Sequence, residues 1–280
     1  MVLPFWSHFD ADTLLSFLGG RAIAGVEEVV GGAYRRAVRS ADGPAVVTMA
    51  PAPGHVRLRV APAIGDPLVR RAARDAFDLD ADPAEIDAVL SADPTLAPLV
   101  ARRPGIRVPG TFDGFEVLIR AIYGQQVSVA GARTSLGRLA ATFGTPLERT
   151  GGGVTHLFPS PKQIASIPLE DLGMPRARGA TIRRVAELVD AGELRLDRTQ
   201  PAEQTLAALA EVRGIGPWTL AYVAMRALRD RDAFIAGDLG VRRSAAAIGL
   251  PSSPKELTAH AERWRPFRAY AVMHLWHAGA

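Results

Sequence analysis

Cysteine is absent from the 280 residues of this sequence. Its absence excludes disulfide bonds, zinc–thiolate sites, iron–sulfur clusters and thiol nucleophiles. Lysine is scarce, because only Lys162 and Lys255 occur and nearly all of the basic charge is carried by arginine. Side-chain amines that could act as nucleophiles are therefore confined to two positions.

Long apolar runs are also missing. The chain has no stretch of 18 or more uncharged apolar residues, so we expect no membrane-spanning helix. Its first residues, MVLPFWSHFDAD, lack a basic start followed by an apolar run. We therefore expect no secretory signal and, as the default, a cytoplasmic location.

The composition is typical of a globular protein with a sizeable core. Hydrophobic residues make up 48% of the chain and charged residues 22%. The length suits one large domain or two to three small ones. A net charge of +4 is compatible with a polyanionic partner such as nucleic acid. It does not establish one, because an arginine bias also arises from genome composition.

Residues 1–90 are predicted to form a small α+β domain, a small antiparallel sheet with helices. Residues 12–20 have the pattern of a short helix. Residues 45–50 and 55–60 are strand candidates, and the proline and glycine of residues 51–54 favour a turn between them. Two strands joined by so short a turn are expected to pair as a hairpin.

From residue 91 to residue 280 we predict an all-helical body. One helix is expected to start at a capping arrangement at Asp113 and to present five apolar residues on one face, namely Phe115, Leu118, Ile119, Ile122 and Tyr123. Residues 124–126 interrupt the pattern, and a second helical run follows to Phe143. Residues 151–153, three glycines, are expected to be a flexible loop.

The segment EVRGIGPWTLAY, residues 211–222, predicts two helices joined by a tight turn. Gly214 and Gly216 allow positive φ and leave their backbone N–H groups uncovered. Pro217 suits the first turn of the second helix, and Ile215 would anchor the turn in the core. N–H groups converging at a helix start make an anion site. A plain linker between two helices explains the same residues equally well.

The wider sequence resembles the helix–hairpin–helix base excision DNA glycosylases. Asp238 lies 22 positions beyond Gly216, within DAFIAGDLGVRR, and that family carries a catalytic aspartate at about this distance from its hairpin. Several further segments extend the resemblance over most of the chain, namely residues 5–38, 115–116, 120–129, 158–159 and 172–175 and the segment WRPFRAY at 264–270. Within the family the sequence is similar to the bacterial alkylation-repair branch.

The resemblance implies a mainly α-helical glycosylase body in two subdomains with the DNA cleft between them. The helix–hairpin–helix would lie at about residues 205–228. The implied activity is that of a monofunctional DNA glycosylase, which hydrolyses the N-glycosidic bond of alkylated purines such as 3-methyladenine during base excision repair. Its expected partner is double-stranded DNA containing alkylated bases, bound by a monomer.

Two other functions remain open on the sequence. A non-catalytic DNA-binding protein would use the same hairpin, and only Asp238 and the aromatic residues distinguish it from an enzyme. A glycosylase for oxidised or mismatched bases usually keeps a hairpin lysine or a set of cluster-binding cysteines. This chain has neither, although some monofunctional relatives also lack both.

Asp238 is the implied catalytic residue. Cleavage of a glycosidic bond builds positive charge on the deoxyribose, which a nearby carboxylate stabilises, or the carboxylate orients the attacking water. The alternative is a helix N-cap, a position that aspartate suits well. Both roles are compatible, because a cap position fixes the carboxylate at a helix end.

Trp218 stands where relatives that also cleave the DNA backbone have a lysine. That lysine attacks the sugar as an amine nucleophile, so a tryptophan there implies an enzyme without lyase activity. Together with Tyr222 and Trp276 it would form the pocket for the flipped base. Cationic alkylated purines bind aromatic faces well. Packing in the core is the alternative for these rings, and we assign that role to Tyr270.

The resemblance also implies residues that touch the DNA. Two glutamines, Gln125 and Gln126, fall where the family inserts a wedge into the gap left by base flipping. The alkylation-repair branch has leucine at the position of Gln126, and a plain surface loop is the alternative. Phosphate binding is assigned to the hairpin residues Gly214, Ile215, Gly216 and Thr219.

No organic cofactor is expected. The six histidines are scattered without metal-ligand spacing. The hairpin of this superfamily can hold a monovalent cation, Na⁺ or K⁺, through backbone carbonyls. Those carbonyls would be contributed here by Val212 and Ile215.

Overall fold

Five antiparallel strands form a sheet near the amino terminus in the computed structural model, which describes residues 1–63 and 65–279. In chain order the strands are Val2–Pro4 (β1), Glu27–Val30 (β2), Ala33–Val38 (β3), Ala45–Ala52 (β4) and His55–Ala61 (β5). Within the sheet they lie in the order β1–β5–β4–β3–β2. Only β1 is out of chain order, and it pairs with β5.

The predicted hairpin is confirmed as β4 and β5. Met49 pairs with Leu58 across it. Val56 and Leu58 are buried, whereas Arg57 and Arg59 are exposed. The alternation of apolar and polar residues in the sequence therefore indicates a sheet with one face packed on the core and the other exposed to water.

In the part of the chain that the structure describes, four helices accompany the sheet. They are Ala11–Gly20 (α1), Pro67–Ala76 (α2), Pro83–Ser91 (α3) and Ala97–Arg102 (α4). The helix predicted at residues 12–20 is confirmed as α1. Aspartate side chains cap the first three helices by accepting a backbone N–H of the first turn.

Among residues 65–279, nine further helices build the body. They are Gly114–Tyr123 (α5), Val129–Phe143 (α6), Pro161–Ser166 (α7), Arg176–Asp190 (α8), Ala202–Ala210 (α9), Pro217–Arg226 (α10), Leu239–Ala247 (α11), Pro254–Ala261 (α12) and Arg268–Ala278 (α13). Short 3-10 helices occupy Leu169–Leu172 and Glu262–Trp264. Among the helices described here, none has both the length and the apolar character needed to cross a membrane.

The helix predicted after Asp113 is α5. The Asp113 carboxylate caps it by accepting the N–H groups of Phe115 and Glu116. All five predicted face residues are buried. Local cap chemistry and helical period thus predict this helix correctly.

The prediction that the body is entirely helical is wrong. Thr145–Gly151 (β6) and Val154–Leu157 (β7) pair as an antiparallel hairpin. The predicted flexible glycine loop is its turn, where Gly152 takes a left-handed φ of +78°. Val154 and Leu157 are buried against Ala37 and Val46 of the sheet. That packing, remote in sequence, is what stabilises so short a hairpin.

The buried apolar residues form two large clusters. The first joins the sheet and α2–α4 to the C-terminal helices α11–α13, and it includes Leu58, Leu90 and Leu96. The second joins α5, α6 and α8, and it includes Ile119 and Ile182. Leu90 and Leu96 flank the domain boundary predicted at residue 90, yet both lie in the first cluster. The chain therefore returns at its C-terminus to the core that its N-terminal part began.

Candidate active site

A cleft of about 1800 Å³ collects side chains from both large clusters. Its walls include residues of α1, α5, α10, α11 and α13 and of the loops after α5 and α9. All the candidate residues for catalysis, base binding and wedge insertion line it, namely Gln125, Gln126, Trp218, Tyr222, Asp238 and Trp276. The fold therefore brings the predicted site residues together from segments far apart in the chain.

Asp238 is held by three donors. It is the N-cap of α11, where its Oδ1 accepts the N–H of Val241 at 2.9 Å. The same oxygen accepts the indole N–H of Trp276 at 3.0 Å, and Oδ2 accepts that of Trp218 at 3.0 Å. The predicted cap is confirmed. The two indole bonds were not predicted, and they fix the orientation of the carboxylate in the cleft.

Two stacked aromatic pairs flank this carboxylate. Trp218 and Tyr222, one turn apart on α10, stack with ring centroids 5.2 Å apart and planes inclined by 15°. Trp276 of α13 stacks on Phe17 of α1 at 5.8 Å. Trp218, Tyr222 and Trp276 are half-buried and Phe17 is buried, and all four rings line the cleft. Tyr270, by contrast, is fully buried, as its assignment to the core requires.

Several cleft residues were missed by the sequence analysis, among them Phe17, Arg21 and Arg226. The guanidinium carbon of Arg21 lies 3.8 Å from the ring centroid of Phe17. That of Arg226 lies 4.9 Å from the same centroid, and its Nη1 donates to the Tyr222 hydroxyl at 3.1 Å. Phe17 and Arg21 are one helical turn apart, a spacing that any surface or core helix shows. No signal in the sequence connects them to residues more than 190 positions away.

Buried charges anchor the floor of the cleft. Glu116 of α5 accepts from Arg36 of β3 at 2.6 Å and from Arg120 at 2.6 Å. Arg120 also pairs with Glu27 of β2. Burial raises the pKa of Glu116, but the two guanidinium groups outweigh it and hold that pKa below its usual value. This network ties α5, and with it the glutamine loop, to the sheet.

The Gly-Ile-Gly turn has the form expected of a helical hairpin, with one correction. Gly214 takes a φ of +94°, and a Cβ there would overlap the Thr181 hydroxyl. Gly216 does not need positive φ, because it is extended at −108° and has open space where a Cβ would lie. A glycine at this position has no side chain to cover the N–H groups at the start of α10. Ile215 is buried in the second cluster and Pro217 begins the helix, both as predicted.

The start of α10 offers free donors. Within the described part of the chain, the N–H groups of Gly216, Trp218 and Thr219 have no hydrogen-bond acceptor. They lie together at the N-terminus of a helix, where the helix dipole favours an anion. The side chain of Thr219 is buried, so this residue can contribute only its backbone N–H to such a site.

The structure separates the two glutamines. The amide nitrogen of Gln125 donates to the carbonyl of Gly214 and to Oγ1 of Thr219, both at 3.1 Å. Gln126 is exposed and takes a left-handed φ of +58°, a conformation uncommon outside glycine. Gln125 therefore joins the end of α5 to the hairpin, while Gln126 is the glutamine presented to solvent.

The hairpin carbonyls are compatible with a hard monovalent cation. The Val212 carbonyl accepts one hydrogen bond, from Ile215 N–H at 3.0 Å, and keeps a second lone pair. The Ile215 carbonyl accepts none from the residues described. Oxygen donors of this kind fit the predicted Na⁺ or K⁺, which remains a prediction.

Two protein-family models match the chain. The model described as AlkA N-terminal domain matches residues 1–113. The model described as HhH-GPD superfamily base excision DNA repair protein matches residues 119–267. The first match ends at residue 113, immediately before α5, and the second begins at residue 119, within α5.

Similar proteins agree with these matches. A Mycobacterium tuberculosis protein named probable bifunctional transcriptional activator/DNA repair enzyme AlkA is 43% identical over 98% of this chain. This chain spans only 56% of that relative's length. The DNA-3-methyladenine glycosylase 2 of Escherichia coli is 31% identical over 96% of this chain and 94% of its own length.

A solved structure shares the fold. The 3-methyladenine DNA glycosylase from Archaeoglobus fulgidus matches with a TM-score of 0.86, covering 99% of this chain and 97% of that one at 24% identity. The predicted fold class, a small antiparallel sheet with helices followed by a mainly helical body, is confirmed.

Proposed function

This chain belongs to the superfamily of helix–hairpin–helix base excision DNA repair proteins, and on that premise we propose that it is a monofunctional DNA glycosylase. It would hydrolyse the N-glycosidic bond of alkylated purines, such as 3-methyladenine, in duplex DNA. Beyond membership of the superfamily, one structural observation supports this activity. The Asp238 carboxylate is oriented by two indole N–H groups inside an aromatic-walled cleft, beside a helix start with free amides.

The chemistry follows from this arrangement. A base buried in duplex DNA is out of reach, so it must be flipped into the cleft, at a cost of a few kcal/mol for unstacking. The amides at the start of α10 would hold a backbone phosphate beside the flipped nucleotide. The stacked pairs Trp218–Tyr222 and Phe17–Trp276 offer flat apolar walls to the base.

Bond cleavage relies on the carboxylate. As the bond between the sugar carbon C1′ and the base nitrogen breaks, the electron pair leaves with the base and the sugar becomes cationic. Asp238 stabilises that cation, water adds to C1′, and the proton that this water loses passes to the Asp238 carboxylate. An alkylated purine is already positively charged and leaves as a neutral base, so a general acid is not required. A single carboxylate therefore suffices.

Release of defined bases tests the proposal directly. Duplexes carrying one 3-methyladenine, 7-methylguanine, hypoxanthine or 8-oxoguanine would be incubated with the enzyme, and the free base would be quantified. We expect release of the alkylated purines and none of 8-oxoguanine. Tight duplex binding without release of any base would make the chain a binding protein, and release of 8-oxoguanine alone would assign it to another lesion class.

We expect borohydride to trap no covalent complex between the native protein and alkylated duplex DNA. Trapping needs an amine that forms an imine with the sugar. Trp218 occupies the hairpin position at which lyases carry a lysine. The two lysines of this chain lie on α7 and α12 and are not among the residues that line the cleft. The amino terminus of Met1 donates to the Leu58 carbonyl at 2.8 Å on the sheet.

The product is therefore expected to be an intact strand with an abasic site, which breaks only after alkali or endonuclease treatment. A lyase that carries a hairpin lysine serves as the positive control for trapping. A stoichiometric trapped adduct with the native protein would contradict the monofunctional assignment.

Gln126 is the proposed wedge. It is the exposed glutamine at the mouth of the cleft, so we expect Gln126→Ala to slow single-turnover base release several-fold with an unchanged melting temperature. Gln125→Ala is the matched comparison. It would remove two hydrogen bonds that hold the hairpin and is expected to lower the melting temperature as well. Normal release by Gln126→Ala would exclude Gln126 as the wedge.

The proposed partner is double-stranded DNA containing alkylated bases, bound by a single copy of the chain. We propose no organic cofactor. A monovalent cation at the carbonyls of Val212 and Ile215 would add positive charge next to the phosphate held by the hairpin. That charge would support DNA binding and would take no part in bond cleavage.

A further inference from the structure

Arg21 is an unpaired cation inside the cleft. It follows α1 directly, its side chain is largely shielded from solvent, and it lines the cleft. Across the described residues, its guanidinium makes no hydrogen bond and no ion pair. Three buried or partly buried arginines of the cleft wall differ in this respect, because Arg36 and Arg120 bind carboxylates and Arg226 binds backbone carbonyls. A guanidinium carries five N–H donors, and at this half-buried position they are available to an acceptor that enters the cleft.

Aromatic rings and charges surround this guanidinium. Its carbon lies 3.8 Å from the Phe17 centroid and 5.6 Å from that of Trp276. The Asp238 carboxylate attracts it, while Arg226 and Arg120 repel it. Burial is the largest influence and lowers the pKa of Arg21, which arginine's high intrinsic pKa nevertheless keeps protonated.

The aromatic faces of the cleft thus already carry resident cations. Arg21 lies over Phe17 and near Trp276, and Arg226 lies 5.7 Å from the Tyr222 centroid. A cationic base entering the cleft would share these rings with two positive side chains. Among the described residues three carboxylates line the cleft, but Glu27 and Glu116 are already paired with Arg36 and Arg120, which leaves Asp238 to oppose the positive charge. The attraction between a cationic lesion and an aromatic pocket is therefore weakened by like charge.

A neutral base that carries a carbonyl is not repelled by these positive side chains and can accept hydrogen bonds from them. The free N–H groups of Arg21 need acceptors, and a purine carbonyl or ring nitrogen provides them. A DNA phosphate is the other source of acceptors, but Arg213 and Arg243 also line the cleft and are exposed, so a backbone phosphate would reach them without entering it. Arg21 instead sits beside Trp276, the ring bonded to Asp238. Its position favours contact with the base.

We propose that Arg21 is a specificity-determining residue that donates hydrogen bonds to an acceptor on a neutral flipped base and disfavours cationic bases. This inference rests on the proposed glycosylase function. It implies that cationic lesions are excised mainly because they leave readily, and that they are not bound tightly. Neutral lesions leave poorly and depend on the contact with Arg21.

Two 6-oxopurines that differ in charge provide the test. 7-Methylguanine is a cation and hypoxanthine is neutral, and both present a carbonyl at the same ring position. Single-turnover rate and half-saturating enzyme concentration would be measured for each duplex with the native protein and with Arg21→Met. Methionine keeps the unbranched apolar part of the side chain without the charge or the donors.

For Arg21→Met we expect hypoxanthine release to fall about 10-fold or more, as the loss of a hydrogen bond to a charged donor predicts. The half-saturating concentration for 7-methylguanine duplex should fall, so the ratio of the two activities shifts toward the cation. Arg21→Lys keeps the charge but not the planar fork of donors. It should retain weak binding of 7-methylguanine while losing part of the hypoxanthine activity.

Arg213→Met is the matched control at the exposed rim. Loss of a phosphate contact there should weaken both duplexes by the same factor. An equal change for both bases in Arg21→Met would overturn the inference, as would a native enzyme that releases 7-methylguanine but no hypoxanthine. Failure of the native protein to release any base would instead overturn the proposed function, and this inference with it.

Discussion

Asp238→Asn is expected to lower base release by at least about 100-fold while leaving the fold and binding to abasic DNA intact. Removing one preorganised electrostatic group from an active site commonly costs about 10²–10³ in rate. Asparagine has nearly the same shape but no negative charge to offer the sugar cation. Single-turnover release from a 3-methyladenine or 7-methylguanine duplex measures the effect.

The structure indicates which way the new amide would face. Oδ1 of Asp238 accepts from Val241 and Trp276, and Oδ2 accepts from Trp218 alone. Asparagine should therefore keep its oxygen at the Oδ1 position and turn its NH₂ group against the indole N–H of Trp218. That donor–donor contact should destabilise the protein by about 1–3 kcal/mol, visible as a lower melting temperature.

Asp238→Ser separates the two roles of this residue. Serine caps a helix about as well as aspartate, so α11 should keep its start, but the carboxylate is gone. Equal loss of activity in the serine and asparagine variants, with abasic-DNA binding retained in both, would assign the effect to the missing charge. Near-normal release by either variant would remove Asp238 from the mechanism.

Threonine placed at either glycine of the hairpin should produce the second large effect, by different routes at the two positions. At Gly214, a β-branched residue would have to adopt a φ of +94° and overlap Thr181. Gly214→Thr is therefore expected to disrupt the turn, lower the melting temperature and abolish DNA binding together.

Gly216→Thr should spare stability and remove binding. The position is extended and open, and threonine caps a helix about as well as glycine. Its hydroxyl would accept one of the free N–H groups of α10, and its methyl group would fill the space in front of them. Abasic-duplex affinity should fall by about 10–100-fold, the equivalent of one or two hydrogen bonds to a charged group.

The loss at Gly216 should be the same in every sequence context, because a phosphate contact carries no base information. Binding titrations with several abasic duplexes that differ only in flanking sequence check this. A folded Gly216→Thr protein with unchanged affinity would reduce the turn to a linker between two helices.

The amino-acid sequence by itself determined the features that depend on a dozen residues or fewer. The β4–β5 hairpin, the buried face of α5, Pro217 at the first turn of α10 and the capping role of Asp238 were all predicted and are all present. Each follows from side-chain period, proline geometry or cap chemistry. These act on backbone dihedrals within one or two turns of chain and need no distant partner.

Only the tertiary structure decided which distant groups meet. The indole bonds to Asp238, the guanidinium of Arg21 over Phe17, the bonds from Gln125 to the hairpin and the packing of β6–β7 on the sheet each join remote segments. A helical pattern says that Phe17 and Arg21 lie near each other, but not what they face. What these two residues face depends on how the two large clusters, each assembled from separate parts of the chain, pack around one cleft. Long-range packing and hydrogen bonding select the partners that local preferences leave open.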